Sequence, residues 1–261
     1  MACLYSLSAV DDMSASSEDL AILERAQLFR SLAKDDIDPL LNAFSIREWR
    51  SGAVIYAQGA VDHHELYVLL SGRVSITRRS NGGRGRSELI GPGETFGELS
   101  VLDPGSRERT ATTLTGARIA SLDRESYINW VLARPHVSER LLRILARRLR
   151  RTDDEVLDLL FVDVGARLAK AIIDMTTRFG TATARGIEVD HALSQEQLAE
   201  LVGTSRETLN KQLNAFVNRG WLTLGRGRFI VREPARLAAR GAVGEAPPRN
   251  VPVTSGVRRA T

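Results

Sequence analysis

Apolar positions recur with two different periods along this chain, and the changes of period mark its parts. The longest regular stretch follows His136. Ser138, Leu142, Leu145, Leu149, Thr152, Val156, Leu159 and Asp163 succeed one another at alternating steps of four and three residues. No glycine or proline interrupts this run before Gly165. At ~1.5 Å per residue the pattern predicts one helix longer than about 35 Å. Arg143, Arg147, Arg148, Arg150 and Arg151 leave only a narrow apolar stripe along it. Such a stripe is covered most simply by a second copy of the same helix in a two-fold dimer, so pairing is favoured over burial within one domain. Thr152 stands where a leucine is expected. A polar seam residue costs stability, so it implies a register-setting role or a ligand at the seam.

Upstream of the helix the texture is β-rich. Val54 to Tyr56, Leu66 to Leu70, Val74 to Thr77, Ser87 to Ile90 and Ala117 to Leu122 read as short strands separated by glycines. Short strands with frequent turn signals predict a sandwich or barrel. Two short helices precede them: one carries Leu20 and Leu23, the other runs from Asp35 to Phe44. Residues 1–17 are small, polar and unpatterned, and read as a tail.

Downstream, Val164 to Phe179 is amphipathic and closes at Gly180, and a flexible stretch is expected after it. Ser194 with Gln197 then reads as a capping box, Gly203 as a turn, and Thr204 with Glu207 as a second capping box. Two short helices around a glycine turn make a helix-turn-helix, with Leu198, Ala199, Leu201, Val202, Leu209 and Leu213 as its core. The first turns of the second helix then face the major groove, and they carry Ser205, Arg206, Glu207, Asn210 and Lys211. Arginine donates twice to guanine, and glutamate accepts from cytosine. Leu222 to Leu224 and Phe229 to Val231 read as a two-stranded wing. Arg226 and Arg228 at its tip suit phosphate, which adds affinity rather than specificity. Residues 234–261 read as a weakly basic disordered tail.

Composition narrows the class. Hydrophobic residues are 43% of the 261, enough for a core, and aromatics only 5%, so that core is aliphatic. The net charge of +4 mildly favours a polyanionic partner. The one cysteine, Cys3, excludes an internal disulfide or an iron–sulfur cluster and points to a reduced, cytoplasmic setting. No apolar run reaches the ~18–20 residues of a membrane span. The first ten residues make a poor signal peptide, and Met13 is an alternative start. His63-His64-Glu65 is a tempting metal cluster, but adjacent strand residues face opposite ways, so a surface loop is preferred and no metal is expected. There is no nucleophile–base arrangement, so no enzyme is expected.

Gly91-Pro92-Gly93-Glu94-Thr95-Phe96-Gly97-Glu98-Leu99-Ser100 is a glycine-rich turn leading into a helix start, which suits an anion. An arginine returned by the next strand neutralises a phosphate, and Glu98 accepts from ribose hydroxyls. Together with the Arg-Arg-Leu-Arg-Arg-Thr run ending at Thr152, the Asp163 hinge and Gly203-Thr204-Ser205-Arg206-Glu207-Thr208, this stretch resembles the Crp/Fnr family of bacterial transcription regulators. The likeness is closest to the cyclic-AMP receptor branch and covers roughly residues 20 to 235.

The resemblance implies an α+β chain: a jelly-roll cyclic-nucleotide-binding domain over 18–134, a dimerisation helix and hinge over 135–163, and a winged helix-turn-helix over 164–233. It implies that Gly97, Glu98 and Leu99 hold the ribose and cyclic phosphate. It also implies an Arg-Ser or Arg-Thr phosphate clamp, and adenine contacts from Thr152 and its neighbour Asp153. The clamp here reads Arg107-Glu108-Arg109-Thr110. Either Arg107 is the clamp and Glu108 replaces the hydroxyl, or Arg109 and Thr110 form the pair. Asp153 stands where Ser or Asn is usual, and these carboxylates work against tight binding of cyclic AMP. Arg206, Glu207 and Lys211 fall on base-reading positions, with Lys211 replacing a common arginine. The implied partners are a second copy of the chain, two-fold GTG/CAC half-sites in duplex DNA and, for an activator, RNA polymerase. Two other readings stay open: a degenerate sensor with nucleotide-independent DNA binding, and a regulatory subunit acting on a protein partner.

Overall fold

The computed structural model describes residues 9–13, 15–30, 32–61, 64–80 and 85–242. The first part is a β-roll flanked by helices: β1 (Ala9–Met13), α1 (Ser17–Arg25), α2 (Lys34–Leu41), β2 (Ser45–Trp49), β3 (Val54–Tyr56), β4 (Glu65–Ser71), β5 (Val74–Arg79), β6 (Gly85–Ile90), β7 (Thr95–Phe96), α3 (Glu98–Leu102), β8 (Thr110–Thr113) and β9 (Ala117–Asp123). Helices α4 (Arg124–Leu132) and α5 (Pro135–Phe161) leave it. The second part holds α6 (Val164–Phe179), β10 (Gly180–Thr183), β11 (Gly186–Asp190), α7 (Gln195–Val202), α8 (Arg206–Asn218), β12 (Leu222–Gly225), β13 (Arg228–Val231) and α9 (Pro234–Ala242).

Two antiparallel sheets, ordered β1-β2-β9-β4-β7 and β3-β8-β5-β6, form the roll. Strand β4 explains how they are placed. Its run Leu66 to Leu70 is apolar at every position, which requires cover on both faces. Tyr67 and Leu69 point between the sheets toward Ile76, Phe96 and Ile119. Leu66, Val68 and Leu70 point outward, where Phe29, Tyr127, Trp130 and the start of α5 cover them.

Helix α5 spans 27 residues, with proline at its first turn. Its buried residues, Val137 and Leu141, both lie near its start. The heptad seam faces solvent: Leu142 is 67% exposed and Leu149 64%.

The structure differs from three expectations. The stretch after α6 forms the hairpin β10–β11, and β11 pairs with β13, so the wing belongs to a four-stranded sheet ordered β10-β11-β13-β12. The expected tail over 1–17 contains β1, paired antiparallel with β2 through the backbone. The sequence Ala-Val-Asp-Asp-Met has no regular apolar–polar alternation, so nothing in the pattern announces it. The expected tail from 234 opens with α9, which packs along α6. Leu237 is fully buried there, and Gly241 lets the helices close until a Cβ would meet Lys170 Cγ at 3.1 Å. A single leucine among alanines and arginines is too weak a pattern to reveal such a helix. Leu237→Ala is therefore expected to cost about 2–4 kcal/mol, read as a lower urea midpoint. An unchanged midpoint would mean that α9 contributes nothing to the domain.

Candidate functional site

A cavity of about 380 Å³ opens at the β7–α3 turn, within the size range of small-molecule sites. Gly97 makes the turn with φ +82°, and a Cβ there would meet Glu65 O and Tyr67 Cδ2 at 2.9 Å. Only glycine fits. The turn starts α3 and buries Glu98, whose Oε1 accepts from Arg148 Nη1 on α5. The other oxygen, Oε2, is buried without a hydrogen-bond partner. Arg107, 3% exposed, lies flat on Tyr56 with its carbon 4.2 Å from the ring centroid. Its Nη1 donates to Gly97 O at 3.1 Å and its Nη2 to Glu65 O at 3.3 Å. Arg109 Nη1 donates to Glu88 Oε2 at 3.1 Å, and Arg148 Nη2 stands 3.9 Å from the same oxygen. Three guanidinium groups thus share one cavity with four carboxylates, those of Glu88, Glu98, Asp103 and Glu108. A buried cation beside a buried acceptor that lacks a donor suits an anion carrying a hydroxyl, such as a phosphorylated sugar.

At the other end, Ser194 caps α7 and Gln197 completes a capping box. Gly203, at φ +73°, turns the chain into α8. The cap of α8 is Ser205, whose side chain accepts from Thr208 N, one residue later than the expected Thr204 cap. Ser205, Arg206, Glu207 and Lys211 are exposed on one end of α8, and Asn210 is half-buried. Arg206 Nε and Asn210 Nδ2 both donate to Gln195 Oε1 of α7, at 3.4 and 3.2 Å, so Gln195 orients the group. Arg226 is exposed at the wing turn, and Arg228 pairs with Glu188 of β11 at 3.1 Å.

Comparison with known proteins gives the same division. A Crp-like helix-turn-helix domain matches residues 166–240, and a cyclic nucleotide-binding domain matches 46–133. The chain is 42% identical over 220 residues to the CRP-like cAMP-activated global transcriptional regulator of Mycobacterium tuberculosis, covering 84% of this chain and 98% of that one. It belongs to the Crp/Fnr family. It is also 35% identical over 216 residues to the cyclic AMP receptor protein of Thermus thermophilus, covering 82% and 96%. Among solved structures, the c-di-GMP responsive global regulator CLP of Xanthomonas campestris shares the fold, with TM-score 0.63, 23% identity, and 76% and 99% coverage. The chain is a DNA-binding transcription regulator of this family with a cyclic nucleotide-binding domain.

Within this Crp/Fnr regulator the candidate ligand residues separate. Gly97, Glu98, Leu99, Arg107 and Arg109 line the cavity. The two arginines share it because alternate residues of an extended segment point the same way. Glu108 also lines the cavity, and its carboxylate pairs at the exposed rim with Arg78 at 3.3 Å. Thr110 does not line the cavity: its Oγ1 accepts from Gln58 N at 2.9 Å. Thr152 and Asp153 are exposed on α5 and do not line it either, and Thr152 Oγ1 donates to Arg148 O one turn earlier. Arg148, Glu88 and Tyr56 are cavity residues that sequence reading missed. For Arg148 a signal existed, since it lies four residues before Thr152 and therefore on the same helix face. Of the His63-His64-Glu65 run, His63 lies outside the described residues, and Glu65 Oε2 accepts from Tyr67 Oη at 2.7 Å. No described helix is long and apolar enough to cross a membrane.

Under the wing, His191 is buried against Phe229, and its Nδ1 accepts from Leu193 N at 3.0 Å. Burial lowers its pKa from 6.5 to about 4. The folded form therefore keeps the ring neutral where the unfolded chain takes up a proton. Stability from this group is complete above 6.5 and is lost as pH falls toward about 4. The DNA-binding module is expected to lose about 2 kcal/mol between about pH 7.5 and about pH 5 from His191. Urea unfolding of wild type and His191→Gln at both values checks this, because the variant should lose that part of the pH dependence.

Proposed function

We propose that the chain works as a homodimeric, non-enzymatic cytoplasmic regulator that binds two-fold symmetric GTG/CAC sites under the control of cyclic AMP. The observation that carries the reading is the cavity in which buried Arg107 lies beside the partnerless Glu98 Oε2. The cyclic phosphate would lie against Arg107, with Arg109 as a second cation, and the ribose hydroxyl would donate to Glu98. The charge of Arg107 and Arg109 and the open Glu98 Oε2 suit the phosphate and hydroxyl of that group. The exposed seam of α5 supports the dimer, and the exposed Ser205, Arg206, Glu207 and Lys211 support base reading. Arg226 at the wing turn is placed for a phosphate. Names of relatives supply the nucleotide: cAMP for the regulators of M. tuberculosis and T. thermophilus. For an activator, contact with RNA polymerase follows.

A second reading rests on Glu88. It already holds Arg109 at 3.1 Å and stands 3.9 Å from Arg148, so it competes with a phosphate for both cations. That favours a sensor weakly coupled to cyclic AMP. Fluorescence anisotropy of a labelled GTG/CAC palindrome, with and without cyclic AMP at one stated salt concentration, separates the readings. Several-fold tighter binding with nucleotide supports control by cyclic AMP. Specific binding that ignores nucleotide supports the weakly coupled sensor, and absence of specific binding overturns both.

A further inference from the structure

Helix α7 begins on the capping box of Ser194 and Gln197. Ser194 N donates to Gln197 Oε1 at 2.9 Å, and Gln197 N donates to Ser194 Oγ at 3.2 Å. The box fixes the backbone of the residue that follows the cap, Gln195. Helix α8 is held at its own start by Ser205, whose Oγ accepts from Thr208 N at 3.2 Å. Leu198, Val202, Leu209 and Leu213 join the two helices in one buried core. Arg206 and Asn210 stand one turn apart on α8 and therefore share a face. The turn between the helices brings that face up to Gln195, eleven and fifteen residues away in sequence.

The contact is specific in what it occupies. An amide oxygen has two lone pairs. Arg206 Nε donates to Gln195 Oε1 at 3.4 Å and Asn210 Nδ2 at 3.2 Å, which fills both. A guanidinium can give guanine its paired bonds to O6 and N7 in two ways. It does so side-on, with Nε and one Nη, or end-on, with both Nη groups. With Nε taken by Gln195, the end-on pair is what Arg206 has left, and its side chain is exposed at the first turn of α8.

We propose that Gln195 is a positioning residue for base recognition: it holds Arg206 end-on toward the major groove and so sets the preference for guanine, without reading a base itself. This rests on the reading that α8 enters the groove. An untethered arginine on an exposed helix has many rotamers, including ones that reach a phosphate and carry no sequence information. Holding one rotamer before DNA arrives lowers the ordering cost of the guanine contact alone. The energetic gain therefore falls on discrimination between bases and not on binding to duplex in general.

The test uses the full chain, with and without cyclic AMP, and labelled duplexes in which each G·C pair of the GTG/CAC half-site is replaced in turn. Arg206→Ala locates the pair that Arg206 reads, as the one it ceases to discriminate. At that pair Gln195→Ala is expected to lower the preference for guanine about fivefold. The salt dependence of binding should stay as in wild type, because no phosphate contact is lost. The variant carrying both alanines is expected to discriminate no worse than Arg206→Ala alone, since Gln195 acts through that arginine. Gln195→Glu keeps the acceptor and is expected to keep the preference, while its charge weakens binding to every duplex alike. NMR of the arginine side chains in the free protein needs no DNA. There the Arg206 Nε–H is expected to exchange with solvent more slowly in wild type and Gln195→Glu than in Gln195→Ala.

An unchanged preference in Gln195→Ala overturns the proposal, as does an Arg206→Ala variant that discriminates every pair like wild type. An equal loss on all duplexes with a shallower salt dependence also overturns it, because Gln195 is then a phosphate contact. If no form distinguishes any duplex, the DNA-reading proposal fails and Gln195 is judged on the Arg206 signal alone: faster exchange in Gln195→Ala supports the positioning, and unchanged exchange overturns it.

Discussion

Arg107→Ala is expected to lower cyclic AMP affinity by at least about a hundredfold. The guanidinium is buried, spread over Tyr56, and donates to two backbone carbonyls that carry the Gly97 turn. Its position is therefore fixed before ligand arrives, so little ordering entropy is spent on binding. Truncating one partner of a buried charged pair costs about 2–5 kcal/mol, and each ~1.4 kcal/mol is tenfold. Arg109 is partly exposed and already paired with Glu88, so Arg109→Ala is expected to cost less. Arg107→Lys keeps the charge but loses the planar fork, and should fall between wild type and alanine. Calorimetric titration with cyclic AMP reads the affinities, and a thermal melt shows whether the Gly97 turn survives. Unchanged affinity in the Arg107/Arg109 double alanine variant would remove the phosphate site altogether.

That contrast between the arginines marks what could be read from sequence. Arg107 and Arg109 are both legible as candidates, because a clamp is expected after the Gly97-Glu98 turn. Which one is buried was not visible, since two alternate residues look alike until the strand's neighbours are known. Arg148 and Glu88 lie 50 and 10 residues from Glu98, on α5 and β6, and meet it only through the fold. Long periodic elements were legible for the opposite reason. α5, α6 and the two helices of the turn motif each announce themselves through local spacing and caps. β1, β10 and α9 carry short or weak patterns and gain their order from partners elsewhere in the chain.

Leu149→Asp is expected to convert the proposed dimer into monomers and to remove tight binding to a two-half-site palindrome. Leu149 lies mid-way along a stripe with Leu142 and Val156, one heptad to either side, and all three are exposed in the single chain. Covering each such side chain contributes about 1.5–3 kcal/mol, and two-fold symmetry doubles every loss. Aspartate would also face its own copy across the axis, where an unpaired charge is costly to bury. Leu132→Asp changes an equally exposed leucine on α4, away from the seam, and should leave the dimer intact. Sedimentation velocity of the three proteins decides between these outcomes. A wild-type monomer, or a dimer that survives Leu149→Asp, would overturn the seam. The same variant bears on Thr152 and Asp153, which do not line the cavity of their own chain. Cyclic AMP affinity retained in the monomer means that one chain completes the pocket. An affinity that falls when dimerisation is lost means that the seam supplies part of the pocket, and the polar break at Thr152 then has its reason.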